Sequence, residues 1–262
     1  MAIIKALRGG TFNLLFGRNP QTVQQEVINL LTKHNLDFLC LEEAENYNGI
    51  LSKIPGYTLI SNTETWQGKE SVLLVKNTYS IDRTAAWTYG NGWFTMKGRT
   101  HPPTGQAQAR IDGWLIVRAL HLPTPSHWVN GKLQGPKNRV DDLIEAMKGL
   151  QRFFSRPCIV NARVAAGDWN EAPTTTGEFS PVWLASTTGA VAKAPVSRLG
   201  HGHIDWPMVK GAEIVEVFKD TEIQEGSDHE PVIFLLTKIS PVVMLRQHAR
   251  RMRRLRRRRR NR

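Results

Sequence analysis

The chain has 262 residues, 40% hydrophobic and 22% charged, with a formal net charge of +12. That composition is ordinary for a globular protein, and the length allows one large α/β or all-β domain or two small ones with a substantial core. Eleven arginines and no acid fall in residues 246–262, which leaves 24 lysines and arginines against 23 acids in the rest, so a nearly neutral body carries a basic tail. No run approaches the roughly 20 apolar residues that a membrane helix needs. Lys5 and Arg8 interrupt any signal-peptide core. Cys40 and Cys158 lie in apolar strand-like runs far apart and read as two buried free thiols in a reducing compartment, with a disulfide between them as the alternative. A soluble, cytoplasmic, monomeric protein without a signal peptide or transmembrane segment is expected.

Ile3 to Leu15 reads as a strand broken at Gly9-Gly10, ending near Asn13. Asn19-Pro20 opens a helix, with Asn as cap and Pro in the first turn. Val23, Val27, Leu30 and Leu31 recur on one face, and Asn35 can close it. Asp37 to Leu41 is an apolar strand that runs into Glu42-Glu43. Ligands of such strand–helix–strand units bind at strand ends. Glu43 then reads as a metal ligand or as a solvated loop acid, and Asn13 as a ligand or a turn residue. Tyr57–Ser61 and Ser71–Val75 are the next strands, with Glu70 at the entry of the second. Residues 84–108, rich in Gly, Thr, Pro and Trp, predict a long loop or hairpin region. Trp87, Tyr89, Trp93 and Phe94 within it could stack on bases or pack inside.

Trp114–Leu120 is a buried strand that delivers His121. Pro136–Phe154 predicts a second helix with Val140, Leu143, Ile144, Met147 and Leu150 inward and Pro157 ending it. Arg163–Ala166 leads into Gly167-Asp168-Trp169-Asn170, where Gly permits a close backbone turn and Asp168 and Asn170, two apart, alternate onto one side. Ser180–Ser197 has no clear period and is treated as irregular. His201-Gly202-His203 makes only a weak zinc site without further Cys or His. Asp205 heads a short apolar run. Gly226-Ser227-Asp228-His229-Glu230-Pro231 precedes the last apolar run, Val232–Leu236. Asp is a hard oxygen ligand, and His moves protons near neutral pH. No internal repeat is apparent.

Thr11-Phe12-Asn13, Leu41-Glu42-Glu43, His121-Leu122, Gly167-Asp168-Trp169-Asn170, Ile204-Asp205-Trp206 and Ser227-Asp228-His229-Glu230-Pro231 come in this order over about Ile3–Leu236. The series resembles the endonuclease/exonuclease/phosphatase superfamily, the fold of deoxyribonuclease I and exonuclease III. Each motif is weak singly; six in order are specific. The resemblance implies an α/β (α+β) four-layer sandwich, with two mainly antiparallel sheets flanked by helices. It implies a Mg²⁺-dependent phosphodiester hydrolase, with Mn²⁺ as an alternative ion. By that pattern Glu43 carries the metal, with Asn13 beside it and Asp228 near. His229 pairs with Asp205, His121 with Glu70, and Asp168 and Asn170 position the nucleophile and phosphoryl oxygens. Glu42 stands where the family usually has Gln, adding a charge beside the metal, and Trp169 where it has Phe. Arg110 and Tyr89 are the candidates for substrate contact.

Residues 1–237 are expected to form the catalytic domain and 238–262 an Arg-rich tail. Arg250, Arg251, Arg253, Arg254, Arg256, Arg257 and Arg258 can neutralise phosphates, which favours nucleic acid, DNA ahead of RNA, as partner. The tail suits anionic lipid as well. Two alternatives therefore stand: a phosphodiesterase or phosphatase of a phosphoinositide, phospholipid or other small phosphoester, and a non-catalytic nucleic-acid-binding protein that uses its tail.

Overall fold

The computed structural model describes residues 6–61, 70–88, 94–96, 99–101, 105–122, 127–158, 160–195, 204–223 and 227–239. In chain order these form β1 (Ala6–Asn13), α1 (Pro20–Lys33), β2 (Phe38–Glu42), α2 (Asn48–Leu51), β3 (Tyr57–Ile60), β4 (Val72–Lys76), β5 (Ile81–Thr88), β6 (Phe94–Met96), β7 (Arg99–His101) and β8 (Gly105–Ile111). There follow β9 (Leu115–His121), β10 (His127–Val129), β11 (Lys132–Gln134), α3 (Lys137–Ser155), β12 (Ala162–Asp168), α4 (Pro181–Thr188), β13 (Val191–Ala192), β14 (Asp205–Lys210), β15 (Ala212–Lys219) and β16 (Val232–Lys238). Strand β16 runs one residue past the expected domain boundary.

Period-two alternation sorts the strand side chains into layers. Phe38, Cys40, Leu73, Val75, Val117, Ala119, Val164, Ala166, Phe234 and Leu236 pack between two sheets. Leu39, Leu41, Leu74 and Ile233 turn the other way, onto Val23, Val27, Leu30 and Leu31 of α1. Ile116, Leu120, Ala165 and Met208 turn outward onto Leu143, Met147, Leu150 and Phe154 of α3. The result is helix, sheet, sheet, helix.

The first sheet has the order β15-β16-β1-β2-β4-β3 and the second β13-β14-β12-β9-β8-β5. Each has one parallel pair at its centre, β1 with β2 and β9 with β12, joined through α1 and α3 respectively. The other pairings are antiparallel. One topology therefore occurs twice without a repeat visible in the sequence. Its consequence is functional: both parallel pairs end at one rim, and the antiparallel strands β4, β14 and β16 begin there.

Several expectations need correction. Gly9-Gly10 does not break β1. A Cβ on Gly9 would meet the Phe38 ring at 2.3 Å and Phe234 at 2.8 Å, so glycine makes room for that edge-on aromatic pair inside a continuous strand. Of the two readings of residues 84–108, loop or hairpin, the hairpin holds: the ends of β5 and β8 pair antiparallel at the sheet edge. Residues 180–197 are not all irregular. Ser180 caps α4 by accepting from Trp183 N, Pro181 opens it and Gly189, φ 73°, closes it. The buried stripe of α3 runs through Ala146, Phe153 and Phe154 rather than Val140 and Ile144. Cys158 lies in the segment after α3 rather than in a strand, and both cysteines are free and buried. Among the described residues no helix is long and apolar enough to cross a membrane.

Candidate active site

The inward positions of the strands are apolar until they reach the rim, where they become Thr11 and Asn13 on β1, Glu42 on β2, His121 on β9, Asp168 on β12 and Asp205 on β14. The register places Asp168 beside His121 on one side and Asp205 on the other. Asn13 aligns with Glu42. Gly167, φ 153°, lets the chains close up: a Cβ there would lie 1.8 Å from the Leu120 carbonyl oxygen.

Two histidine–carboxylate pairs bridge the sheets. His121 Nδ1 donates to Glu70 Oε1, and His229 Nδ1 donates to Asp205 Oδ2 at 2.7 Å. The Nε2 atoms of both rings face Asp168 Oδ2, at 3.5 Å from His121 and 3.9 Å from His229. The Asn13 amide nitrogen donates to the same Asp168 oxygen and to Glu43 Oε1, each at 3.2 Å. Asp168 is thus the point on which the constellation converges. The His229 loop is tied to β1: Ser227 Oγ donates to the Asn13 carbonyl at 2.9 Å, and His229 N donates back to Ser227 Oγ at 3.1 Å.

Charge follows from this packing. Burial disfavours a charged ring at His229, but Asp205, then Asp168 and Asp228, outweigh it and lift its pKa to about 9. Burial likewise opposes the His121 cation, yet Glu70, Asp168 and Glu43 hold it well above the usual histidine range. Asp168 is pushed up by burial and by Asp205, with the two imidazoles pulling back. Both rings keep their proton at neutral pH, and Asp168 is a stronger proton acceptor than a solvated aspartate.

Glu42 corrects an expectation. It is fully buried between the sheets, where Thr11 Oγ1 lies 3.1 and 3.2 Å from its two oxygens. Burial, then Asp205 and Asp168, holds it well above the carboxylate range, which favours the uncharged acid at this position. Glu43 follows in the left-handed region, φ 53°, which turns it out of the strand alternation. Its carboxylate takes the Asn13 amide and the Phe16 backbone N–H, the latter at 2.8 Å.

Asn170 does not reach the site by alternation. It has φ 51°, its N–H donates to Asp168 Oδ1 at 2.7 Å, and its side-chain nitrogen donates to the Leu122 carbonyl at 2.8 Å. It fixes the turn that presents Asp168. The Asp228 side chain is 72% exposed, with Oδ1 3.7 Å from His229 Nε2, at the solvent side of that ring. Arg110 is not in the site. It pairs with Asp82 across β8 and β5, and it aligns with Ile116, four residues and roughly 13 Å down the strand from the rim position opposite Leu120. Tyr89, the tail arginines and His201-Gly202-His203 lie outside the described residues.

Two features escaped the sequence reading. Glu45 is buried, with Oε2 unpartnered, and burial followed by the nearby Glu70 lifts its pKa to about 8. Its only sequence signal is an acid two positions past Glu43. The indoles of Trp169 and Trp206 stack at 4.0 Å and 9° behind Asp168 and Asp205, and Trp169 Nε1 donates to the Trp206 carbonyl at 2.8 Å. That stack fixes the spacing of the two aspartates beside it.

Asp168, Asp205 and His229 also offer ligand atoms within 4.8 Å of one another. Because Asp205 and His229 already share a hydrogen bond, that trio is better suited to holding a proton. The Asn13 amide also draws carboxylate oxygens of Glu43 and Asp168 together, a second set that could serve a hard cation.

No family model and no curated protein matches the chain by sequence. Solved structures do match. An endonuclease/exonuclease/phosphatase from Bacteroides vulgatus superposes with a TM-score of 0.64 at 14% identity, over 90% of this chain and 100% of that one. A humanized D. rerio TDP2 carrying 14 mutations gives 0.60 at 13% identity, over 88% and 98%. D. rerio TDP2 complexed with single-strand DNA product gives 0.58 at 12% identity, over 88% and 99%. With two six-stranded sheets between helices and a polar rim at the ends of both parallel pairs, the chain has the endonuclease/exonuclease/phosphatase fold.

Proposed function

We propose that the protein is a metal-dependent phosphodiester hydrolase that acts on nucleic acid, DNA ahead of RNA. The observation that carries the reading is the convergence of two histidine–carboxylate pairs and the Asn13–Glu43 pair on Asp168. A phosphodiester repels hydroxide and expels a poor alkoxide, so a site must neutralise charge, orient a water and protonate the leaving oxygen. Asp168 holds the water and takes its proton as the oxygen attacks phosphorus. His229, kept cationic by Asp205, contacts a phosphoryl oxygen. His121, kept cationic by Glu70, gives its Nε2 proton to the departing alkoxide. Asn170 shapes the turn that aims Asp168. The oxygen donors Glu43 and Asn13, with Asp168 at hand and Asp228 on the solvent side, fit Mg²⁺, and Mn²⁺ would be accepted. An ion held by these residues would supply positive charge against the developing charge on the phosphoryl oxygens.

The nucleic-acid assignment is supported by the Arg-rich tail and by the likeness in fold to a structure described as a complex with single-strand DNA product. His229→Ala should abolish Mg²⁺-dependent cleavage of plasmid and oligonucleotide while leaving the melting curve cooperative, and EDTA should stop the parent. Parental rates in either case would refute the mechanism. Truncation after Lys238 keeps β16 intact. The truncated chain should still turn over a small phosphodiester but bind DNA with a shallower salt dependence, losing a log–log slope of about 5 if roughly six arginines engage phosphates.

A further inference from the structure

Among the described residues, the exposed large apolar side chains are five valines and Phe16, which is 49% exposed. A single exposed apolar residue needs no explanation by itself. Phe16 differs in where it sits and how it is held. Leu14, two residues before it, is fully buried, and the chain between them turns through Leu15 at φ 57°, a region that bulky residues rarely occupy. The turn is pinned at each step: Leu15 N donates to Asn13 Oδ1 at 3.0 Å, the Tyr47 hydroxyl to the Leu15 carbonyl at 2.9 Å, and Arg18 N to the Tyr47 oxygen at 2.8 Å. The Phe16 N–H itself donates to Glu43 Oε2. A phenyl ring therefore stands in solvent on a backbone tied to the same Asn13 and Glu43 that build the candidate site.

We infer that Phe16 is a stacking platform for the nucleobase that flanks the scissile phosphate, a role that rests on the proposed function. Gly17, Arg18 and Asn19, which follow it, are small or polar, and Leu15 before it is half-buried, so among the described residues of this turn the ring is the large apolar side chain that stands in solvent. That shape fits a flat aromatic partner, whose π-face is accepted whatever its sequence. An acyl chain or a protein would need a broader apolar area.

The test uses the full chain and short single-stranded oligonucleotides with a fixed cleavage position, with Mg²⁺ present. Each is made with an intact base or with an abasic residue at the nucleotides beside the cut. Phe16→Ala should raise KM about tenfold on the intact substrate, within the range that one base–aromatic stack carries. The parent should lose the same factor when the flanking base is removed, and Phe16→Ala should lose nothing further on that abasic substrate. Phe16→Trp should keep the parental KM. The inference is overturned if Phe16→Ala matches the parent on intact substrate. It is equally overturned if the penalty persists in full on the abasic one, because Phe16 would then act through Glu43 and not through a base. If the parent cleaves no oligonucleotide but turns over a phospholipid or sugar phosphate in a His229-dependent way, the nucleic-acid reading falls, and this inference with it. His229-dependent oligonucleotide cleavage that ignores Phe16 sinks this inference alone.

Discussion

Asp205→Asn isolates what one carboxylate does to one imidazole. His229 rises from an ordinary 6.5 to about 9, against the opposing effect of burial, with Asp205 the largest of the three acids that raise it. At about 1.36 kcal/mol per pH unit, the raised value corresponds to about 3 kcal/mol of preference for the charged ring in the folded chain. A histidine whose folded pKa is raised stabilises the fold fully below its unfolded value and loses that contribution as pH climbs through the folded one. The window is therefore about 6.5 to 9. Asn in place of Asp keeps an oxygen to accept from Nδ1 but removes the charge, and it leaves its amide nitrogen where Oδ1 is buried with no partner. The net loss should be about 2 kcal/mol at pH 7 and under about 1 kcal/mol at pH 10. NMR titration of the imidazole in EDTA from pH 5 to 10 should show the midpoint falling well below that of the parent. Urea denaturation at pH 7 and pH 10 reads the stability difference. Turnover should fall by about a hundredfold or more, as expected for loss of a positioned proton-bearing group. A midpoint still near 9, or a stability loss equal at both pH values, would refute the assignment of Asp205 as the group that holds His229 charged.

Gly167→Ala should not fold stably: its Cβ would sit 1.8 Å from the Leu120 carbonyl of the neighbouring strand, at a φ of 153°. A loss above about 4 kcal/mol is expected, and a melting temperature within a few degrees of the parent would contradict it. Glu45, raised to about 8 by burial and then by Glu70, keeps its proton in the folded chain while the unfolded chain loses it from about 4.5 upward. The parent should therefore lose on the order of a few kcal/mol as pH rises from 5 to 8. Glu45→Gln mimics the neutral form. In EDTA it should melt like the parent at pH 5 and well above it at pH 9, and parallel melting curves at the two pH values would show that Glu45 is ionised in the fold.

The strands that matter, and the order in which they deliver polar groups, are legible in the chain before any folding is considered. Apolar runs ending in Asn13, Glu43, His121 and Asp168 are visible because a buried strand must stay apolar until it reaches solvent. Asn19-Pro20 and Asn35 mark α1 because capping is local chemistry. The pairing of Glu70 with His121, and of Asp205 with His229, followed from a resemblance in motif order; no local signal links residues 51 and 24 positions apart. Other features exist only once the sheets face each other. Glu42 reads as an ordinary charged acid until burial between the sheets, with Asp205 and Asp168 close by, pushes its pKa well above the carboxylate range. Arg110 reads as a substrate contact until register puts it down the strand against Asp82. Gly9-Gly10 reads as a break until Phe38 fills the space above Gly9. In each case the deciding quantity is the environment across a sheet, set by residues distant in the chain. Alternation along a strand says which way a side chain points; only tertiary packing says what it meets, whether water remains there, and hence which charge survives.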